Sequence, residues 1–286
     1  MKLRSLLFAP GDSARKMEKA LASAADAVIL DLEDSVAASQ KLAARAMVAD
    51  VLAARDRPGV VVRINAPETA WYLSDLAELV RHRPDAVMLP KCASAADLLA
   101  LDHHLAALET QAGLALGAIR VLPIATETTA SVLALPCMLA SGAGRVVAMC
   151  FGAEDLAADL GMSPRLSGGA YPAPIAASRA QLLLAAASAG VPAIDTPYPD
   201  PRDPDGLARE LGQAASDGFT GKLCIHPDQV ETVNAAFTPN PVLVEWARRV
   251  MAHATAHPQA GVFTLDGQMI DRPHLRLASS VLARIG

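Results

Sequence analysis

The sequence predicts an α/β protein, a closed (β/α)8 or TIM barrel with a C-terminal helical extension. Eight short runs of β-branched or apolar residues recur along the chain, and segments with helical spacing separate them. The length of 286 residues agrees with one barrel and a short tail. An open doubly wound sheet is disfavoured, because the turn after the first run, PGDSARK, lacks the glycine fingerprint GxGxxG.

The eight predicted strands are short and lack strict alternation of apolar and polar residues. Such runs are typical of strands buried on both faces of a parallel sheet. They cover residues 3–8, 27–32, 60–64, 86–89, 120–124, 146–151, 191–194 and 222–225. Because a helix separates successive strands, we expect right-handed parallel crossovers.

Three helices carry the clearest signals. The apolar spacing after residue 16 predicts a helix capped by Asp12, and a leucine repeat at spacings of 3, 4 and 3 predicts another behind Ser94. A third helix, from about residue 178, should end at Gly190. We expect Asp205 also to cap the helix that follows it.

The predicted domains are a barrel over residues 1–238 and an extension over residues 239–286. The extension begins with a helix over about residues 241–257 and contains the string DGQMID. It exceeds what a barrel needs. We therefore expect it to cap a site, that of a neighbouring subunit.

Composition excludes several classes of function. The net charge of -5 has no long basic run behind it, which argues against nucleic acid as a partner. Every apolar run is too short for a signal-peptide core or a membrane span, so we expect a soluble cytoplasmic protein. The four cysteines form no CxxC pair and the histidines no HExxH motif, so we expect buried, reduced thiols and no zinc site.

Polar residues follow the predicted strands, at the end of a TIM barrel where active sites are built. They are Pro10, Gly11, Glu33, Asp34, Arg63, Asn65, Pro90, Lys91, Glu127, Asp155, Asp195 and His226. The four clustered carboxylates among residues 33–155 would repel one another, which favours a hard cation such as Mg2+. For Glu127 and Asp155, the pattern leaves metal ligation and helix capping equally open.

Two basic residues have alternative interpretations. Arg63 lies in an apolar strand and needs an anion, either a carboxylate such as Glu33, which the pattern slightly favours, or a substrate carboxylate. Lys91 is either a Schiff-base lysine or a charge partner of the nearby acids, and the second role is the more common.

At these positions the chain resembles the citrate lyase β-subunit-like proteins, CoA-ester lyases of the HpcH/HpaI aldolase and citrate lyase superfamily. The resemblance covers nearly the whole chain in order. Its strings are RSLLFAPGD, ALASAADAVILDLEDSV, VVRINA, VMLPKCAS, IATETTASV, FGAEDLAADLG, AGVPAIDTPYPDPRD, GFTGKLCIHPDQV and DGQMID. Nine such strings in register are a specific signal.

The resemblance implies a TIM barrel and a Mg2+-dependent lyase, with Mn2+ as the alternative metal. Its substrate would be a 3-hydroxyacyl-CoA such as citryl-CoA, citramalyl-CoA or malyl-CoA, cleaved to acetyl-CoA and an oxo acid or formed from them. The resemblance implies Glu127 and Asp155 as metal ligands and Arg63 as the clamp on the oxo acid. Asp271 would be an acid/base residue supplied by an adjacent subunit, with helix capping as the alternative.

The resemblance also implies where the rest of the substrate lies. Residues of the first strand and turn would bind the CoA thioester, and three charged residues would line the substrate pocket. The first group is Arg4, Phe8, Pro10 and Gly11, and the second is Glu33, Asp34 and Lys91. The family suggests a homotrimer and leaves open whether citrate lyase α and acyl-carrier subunits join it.

Two departures from the family pattern bear on the substrate. Many relatives read FVPG where this chain has FAPG, and IET where it has Ala125-Thr126-Glu127, so the shape of the acyl pocket is left open. Two other functions compete with the lyase: a CoA-independent, metal-dependent aldolase of pyruvate or another oxo acid, and a non-catalytic CoA-metabolite binding protein. The DGQMID tail argues against the aldolase, and the joint presence of Arg63, Glu127, Asp155 and Asp271 argues against the binding protein.

Overall fold

The computed structural model describes residues 1–139, 143–259 and 261–285. The chain divides into two compact units, Met1–Asn234 and Ala235–Gly286. The first contains an eight-stranded parallel sheet, and the second contains two helices and a two-stranded hairpin. The division falls within a helix, Val230–Phe237, close to the predicted boundary at residue 238.

The strands of the first unit form the predicted barrel. They are β1 (Ser5–Pro10), β2 (Ala27–Asp31), β3 (Val60–Arg63), β4 (Ala86–Leu89), β5 (Arg120–Pro123), β6 (Met149–Cys150), β7 (Ala193–Asp195) and β8 (Gly221–Cys224). They pair in parallel in the order β5-β4-β3-β2-β1-β8-β7-β6. Two isolated bridges, Val121 with Val146 and Ile124 with Cys150, join β5 to β6 and close the circle. All eight predicted strands, and the fold class, are confirmed.

The barrel interior is an apolar core formed by the side chains of alternate strand residues. Its members include Leu6, Ile29, Val61, Met88, Leu122, Ile124, Cys150, Ile194 and Leu223. Because side chains alternate across a strand, the residues two positions further along also point inward. These are Phe8, Asp31 and Arg63, which stand at the carboxyl ends of β1, β2 and β3. The inward-facing side chains are therefore apolar in the middle of the barrel, and at its carboxyl end they include the charged Asp31 and Arg63.

Eight described helices of the first unit surround the strands, and a ninth spans the division between the two units. They are α1 (Ala14–Leu21), α2 (Lys41–Ala54), α3 (Tyr72–Leu79), α4 (Ala95–Gln111), α5 (Thr129–Met138), α6 (Ala153–Asp159), α7 (Ala173–Ser188), α8 (Pro204–Asp217) and α9 (Val230–Phe237). Ser94 precedes α4 as its N-cap, as predicted. Gly190 lies just beyond α7 with φ of 71°, in the left-handed region, which also agrees with the prediction.

Two predicted caps and one helix start were wrong. The N-cap of α1 is Ser13 rather than Asp12. The N-cap of α8 is Asp203, whose carboxylate accepts the N–H of Gly206, while Asp205 lies in the first turn. Helix α7 begins at residue 173 rather than 178, since Pro174 in its first turn needs no N–H partner.

The cysteines are free, and three of the four are buried as predicted. Cys137 is the exception, because it lies on the exposed face of α5. Among the described residues, no helix combines the length and the apolar character that crossing a bilayer requires.

The second unit consists of α10 (Pro241–Ala256), β9 (Phe263–Leu265), β10 (Gln268–Ile270) and α11 (Arg272–Ala283). The predicted helix at about residues 241–257 is therefore confirmed. β9 and β10 pair antiparallel around Asp266 and Gly267, both of which have positive φ. A small apolar core holds the unit together: Val244, Ala247, Val250, Ile270, Ala278 and Val281.

Candidate active site

A cavity of about 320 Å3 opens at the carboxyl ends of the barrel strands. Its apolar lining consists of Phe8, Pro10, Ile124, Phe151, Leu223 and Ile225, among others. Its polar lining includes Asp31, Ser35, Arg63, Glu127, Glu154, Asp155 and Thr196. The cavity thus lies where TIM barrels bind their substrates.

Arg63 is held in place by two hydrogen bonds to Asp31. Its Nε lies 2.6 Å from Oδ1 and its Nη2 lies 2.6 Å from Oδ2, which makes a bidentate pair. The guanidinium carbon also lies 4.7 Å from the centre of the Phe8 ring. Burial alone would raise the pKa of Asp31, but the hydrogen bonds from Arg63 hold this pKa below its ordinary value. The predicted structural ion pair is present, with Asp31 as the main partner.

Glu33 is a buried carboxylate between two cations. Its Oε2 lies 3.1 Å from Nη1 of Arg63 but makes no hydrogen bond, and its Oε1 accepts a hydrogen bond from the ammonium of Lys91. Burial raises the pKa of Glu33, although Arg63 and Lys91 oppose the rise. One oxygen of this buried carboxylate therefore lacks a hydrogen-bond donor.

Lys91 joins the acidic residues by both its backbone and its side chain. Its backbone N–H donates to Oε2 of Glu127. Its Nζ contacts Glu33 and lies 3.5 Å from Oδ2 of Asp34 and 3.9 Å from Oδ1 of Asp155. Burial opposes protonation, but the carboxylates of Glu33, Asp34 and Glu127 raise the pKa of Lys91 well above its ordinary value. Because a Schiff base needs a neutral amine, the charge-partner interpretation is favoured.

Glu127 is almost fully buried, with 3% of its surface exposed. Burial, with the nearby charges of Asp155 and Glu33, raises the pKa of Glu127 to about 8. Gly152 allows this packing, because a Cβ at that position would lie 2.7 Å from Cγ of Glu127. Glu127 therefore packs directly against the backbone of Gly152. A cation nearby would favour its charged form.

Helix capping does not explain either predicted metal ligand. Thr128, not Glu127, is the N-cap of α5, and its side chain accepts the N–H of Ser131. Gly152 is the N-cap of α6, and Asp155 lies in the first turn of that helix with its side chain 37% exposed. Asp155 lines the cavity beside Glu127.

The donor set suits a hard cation that keeps open coordination positions. In the part of the chain that the structure describes, no three His, Cys, Asp or Glu side chains converge as a metal-binding group. Glu127 and Asp155 can supply two oxygen ligands and leave the others to water and substrate, which is the common Mg2+ pattern. The raised pKa of Glu127 and the unbonded oxygen of Glu33 both indicate a cluster short of positive charge. The residues present therefore fit the predicted cation.

The predicted CoA-binding residues fall in two places. Phe8 and Pro10 line the cavity, and Gly11 packs behind it, its N–H 2.8 Å from the carbonyl oxygen of Asp31. Arg4 precedes the opposite, N-terminal end of β1 and makes hydrogen bonds of 2.8 Å to both carboxylate oxygens of Asp26. The structure does not bring Arg4 to the cavity.

Several polar residues at strand ends also lie outside the cavity lining, among them the predicted substrate-pocket residues. They are Glu33, Asp34, Asn65, Lys91, Asp195 and His226. Asp195 is fully buried and pairs with Arg179 and Lys222, at 3.0 and 2.9 Å. His226 begins a short turn in which its Nδ1 lies 3.3 Å from the N–H of Asp228. Asp195 and His226 do lie at or just after the ends of strands, but their side chains do not line the cavity.

Asp271 belongs to the second unit, where it is the N-cap residue of α11. One carboxylate oxygen lies 2.6 Å from Nδ1 of His274. The capping position is thus present, and the acid/base role stays a prediction.

Sequence reasoning missed four polar residues of the cavity, Asp31, Ser35, Glu154 and Thr196. Asp31 could have been found, because it follows inward-facing Ile29 by two positions in a buried strand. Ser35 and Thr196 carried no such signal. Thr196 accepts the N–H of Ala153 at 3.3 Å, which ties the end of β7 to the start of α6.

The fold and the cavity define a TIM-barrel protein with a carboxylate-rich, arginine-containing site at the carboxyl ends of its strands. Within that class, the model of the HpcH/HpaI aldolase/citrate lyase family matches residues 4–227, and the chain belongs to this family. The family resemblance read from the sequence is therefore confirmed.

Individual relatives cover the chain almost completely. A citrate lyase subunit beta-like protein of Mycobacterium tuberculosis is 40% identical over 283 residues, 98% of this chain and 94% of the relative. A (3S)-malyl-CoA thioesterase of Cereibacter sphaeroides is 36% identical over 286 residues, again 98% and 94%. The solved structure of CitE from M. tuberculosis with magnesium, acetoacetate and coenzyme A superposes with a TM-score of 0.75, at 38% identity and 98% and 97% coverage.

Proposed function

We propose that this chain is a Mg2+-dependent carbon–carbon lyase. Its substrate is a 3-hydroxyacyl-CoA, which it cleaves to acetyl-CoA and a 2-oxo acid or forms from them. The observation that carries the proposal is the convergence of Glu127, Asp155 and Arg63 on one cavity. A relative that is 38% identical was solved with magnesium, acetoacetate and coenzyme A, which supports the same ligand classes here.

Glu127 and Asp155 are the residues that would hold the cation. Both line the cavity, and burial leaves Glu127 with a raised pKa that a positive charge would lower. When bound, Mg2+ supplies Lewis-acid polarisation of the oxo-acid oxygens and offsets the negative charge of that fragment.

Arg63 binds and orients the oxo-acid fragment. Asp31 grips two nitrogens of its guanidinium, and Phe8 covers one face, so the group is oriented before substrate arrives. A fixed guanidinium neutralises the substrate carboxylate and stabilises charge that develops beside it without reorganising. The ion pair with Asp31 and the substrate clamp are therefore compatible roles.

Asp271 is the proposed acid/base residue. During cleavage the substrate hydroxyl loses its proton to solvent as the carbon–carbon bond breaks and the oxo-acid carbonyl forms, and the carboxyl group of Asp271 donates a proton to the carbon of the acetyl-CoA enolate. During synthesis its carboxylate removes that carbon-bound proton, and the new hydroxyl takes a proton from solvent. We propose that the second unit of an adjacent subunit in a homotrimer supplies it. Phe8 and Pro10 would contact the thioester end of the substrate, whereas Arg4 lies outside the cavity lining.

A substrate panel tests the proposal. Purified protein with MgCl2 is incubated with citramalyl-CoA, malyl-CoA, citryl-CoA or a CoA-free oxo-acid aldol, and acetyl-CoA and the released oxo acid are followed by mass spectrometry. We expect release of acetyl-CoA from at least one, its loss with EDTA, and its loss in Glu127→Gln with the fold intact by circular dichroism. Full activity of Glu127→Gln would refute the metal role. Turnover only of CoA-free oxo-acid aldols would indicate the aldolase, and binding without turnover the binding protein.

A thioesterase is the second candidate function. It is favoured by the relative named (3S)-malyl-CoA thioesterase, which is 36% identical and aligns with 98% of this chain. Hydrolysis would release free CoA and the intact hydroxy acid, whereas lyase activity releases acetyl-CoA and an oxo acid. The same incubation therefore separates the two, with thiol titration for free CoA as the additional measurement.

A further inference from the structure

The side chain of Lys91 occupies the carboxylate cluster in which the proposed cation would be held. Its Nζ contacts Glu33 and lies 3.9 Å from Oδ1 of Asp155, one of the two proposed ligands. Its backbone N–H donates to the carboxylate of Glu127, the other one. Lys91 therefore contacts Glu127 and Glu33 and lies within ion-pair distance of Asp155.

The turn itself does not require a lysine at this position. Lys91 has φ of 50°, in the left-handed region that glycine adopts without strain and that other residues rarely adopt. Glycine would also provide the N–H that Glu127 accepts. What the lysine adds is a positive charge placed among carboxylates, with one third of its side chain exposed.

An ammonium and a divalent cation held by the same carboxylates repel each other. Like charges a few ångströms apart oppose each other most strongly where burial lowers the effective dielectric constant. The ammonium lies within ion-pair distance of Glu33, Asp34 and Asp155. Metal binding must therefore displace or weaken these ion pairs.

We propose that the Lys91 ammonium is an internal counter-cation that competes with the divalent cation for the carboxylate cluster and so sets its metal affinity. When metal binds, the ammonium withdraws from Glu33 and Asp155 toward exposed Asp34, whose side chain is 58% exposed. Without metal, the ammonium compensates part of the negative charge of the cluster. With metal, its repulsion makes the affinity for the cation lower than it would be without Lys91. This inference rests on the proposed metal site.

Binding measurements on a charge-neutral variant test the competition. Mg2+ binding by calorimetry and Mn2+ binding by electron paramagnetic resonance are measured without substrate for wild type, Lys91→Met and Lys91→Arg. We expect Lys91→Met to bind about tenfold tighter or more, equivalent to ~1.4 kcal/mol, and Lys91→Arg to resemble wild type. Lys19→Met, which removes an exposed charge on α1, is the matched control and should bind as wild type does.

A second measurement uses the unaltered protein, in case Lys91→Met folds poorly. Amine acetylation is followed by peptide mass spectrometry with and without Mg2+. We expect the modification of Lys91 to rise with Mg2+, because the ammonium leaves its carboxylates, while that of Lys16 and Lys19 stays constant.

The outcomes separate this inference from the proposed function. If wild type binds Mg2+ while Lys91→Met binds no tighter, or if acetylation of Lys91 is unchanged or falls, the competition is wrong and the metal site stands. If neither protein binds a divalent cation, the metal site itself is wrong and the inference falls with it.

Discussion

At the residue scale, Glu127 shows how burial changes the chemistry of one carboxyl group. Its ordinary pKa of 4.5 rises to about 8, chiefly because burial disfavours the charged form. In the metal-free barrel this carboxyl therefore holds its proton over much of the neutral range. A cation at the cluster would reverse the preference, so metal binding by Glu127 should release a proton.

This raised pKa predicts a pH dependence of stability. Between pH 4.5 and about 8 the folded protein holds a proton on Glu127 that the unfolded chain has lost, so the free energy of unfolding falls as pH rises. The slope for one such group is about 1.4 kcal/mol per pH unit. Urea unfolding in EDTA at a series of pH values should show a shallower decline for Glu127→Gln than for wild type. Parallel curves would contradict the assignment.

Arg63 allows a test of guanidinium geometry against charge. Arg63→Lys keeps the charge but loses the two-pronged contact with Asp31 and with a substrate carboxylate. We expect kcat/KM to fall roughly 10- to 100-fold, the value of a charged hydrogen bond of about 1.5–3 kcal/mol, together with weaker inhibition by a free oxo acid. Arg81→Lys, at an exposed pair with Glu78, is the control. An unchanged inhibition constant would remove Arg63 from the substrate site.

Much of the site was accessible from the sequence because a TIM barrel brings the residues after its strands to one end. That rule correctly placed Arg63, Glu127 and Asp155 at the cavity. It failed for Asp195, because the rule gives the position along the strand and not the face on which the side chain lies. Lys91 has a left-handed backbone and donates its N–H to Glu127, and no local sequence signal predicts this conformation.

At the element scale, all eight barrel strands were predictable because strands buried on both faces are continuous apolar runs. Caps were less so, since Asp12 and Ser13, or Asp203 and Asp205, are chemically similar neighbours and only the backbone path selects one. The β9–β10 hairpin was missed, although the Asp266-Gly267 pair is a known signal for such a turn.

The close approach of α6 to the end of β5 gives a prediction at this scale. Gly152 has an ordinary negative φ, so alanine fits its backbone, but the added Cβ would lie 2.7 Å from Cγ of Glu127 and 2.9 Å from Cγ2 of Ile124. Gly152→Ala should therefore displace Glu127 and weaken Mg2+ binding about tenfold or more. Calorimetry provides the measurement, and Gly212→Ala, where a Cβ meets nothing within 4 Å, is the matched control. Equal affinities would show that Glu127 is free to adjust.

At the scale of the whole molecule, the residues proposed for metal binding and for acid/base chemistry belong to different units of the chain. Glu127 belongs to Met1–Asn234, and Asp271 belongs to Ala235–Gly286. The sequence predicts a boundary at residue 238, because the chain continues beyond an eighth strand. Which barrel receives Asp271 is a question about assembly, so it depends on contacts between subunits that one chain does not contain.

Complementation between inactive variants tests the shared site. Glu127→Gln and Asp271→Asn chains are co-expressed with different tags, and mixed oligomers are purified by both tags. If a neighbour supplies Asp271, about one third of the sites in mixed trimers combine both intact residues, and acetyl-CoA release should return in proportion. If each barrel uses its own Asp271, mixed oligomers stay as inactive as either parent. Full turnover by Asp271→Asn alone would refute the acid/base role.

The closure of the barrel has a consequence for its motion. β5 and β6 are joined by two isolated bridges instead of a continuous ladder, and Glu127 follows β5 while Asp155 follows β6. A cation held by both carboxylates would link the ends of β5 and β6 and stabilise this junction, here called the seam. The N–H groups of Val147 and Ala125, which cross the seam to the carbonyl oxygens of Val121 and Cys150, would then exchange with solvent more slowly. The proposed cation would then both support the chemistry of the site and stabilise the junction between β5 and β6.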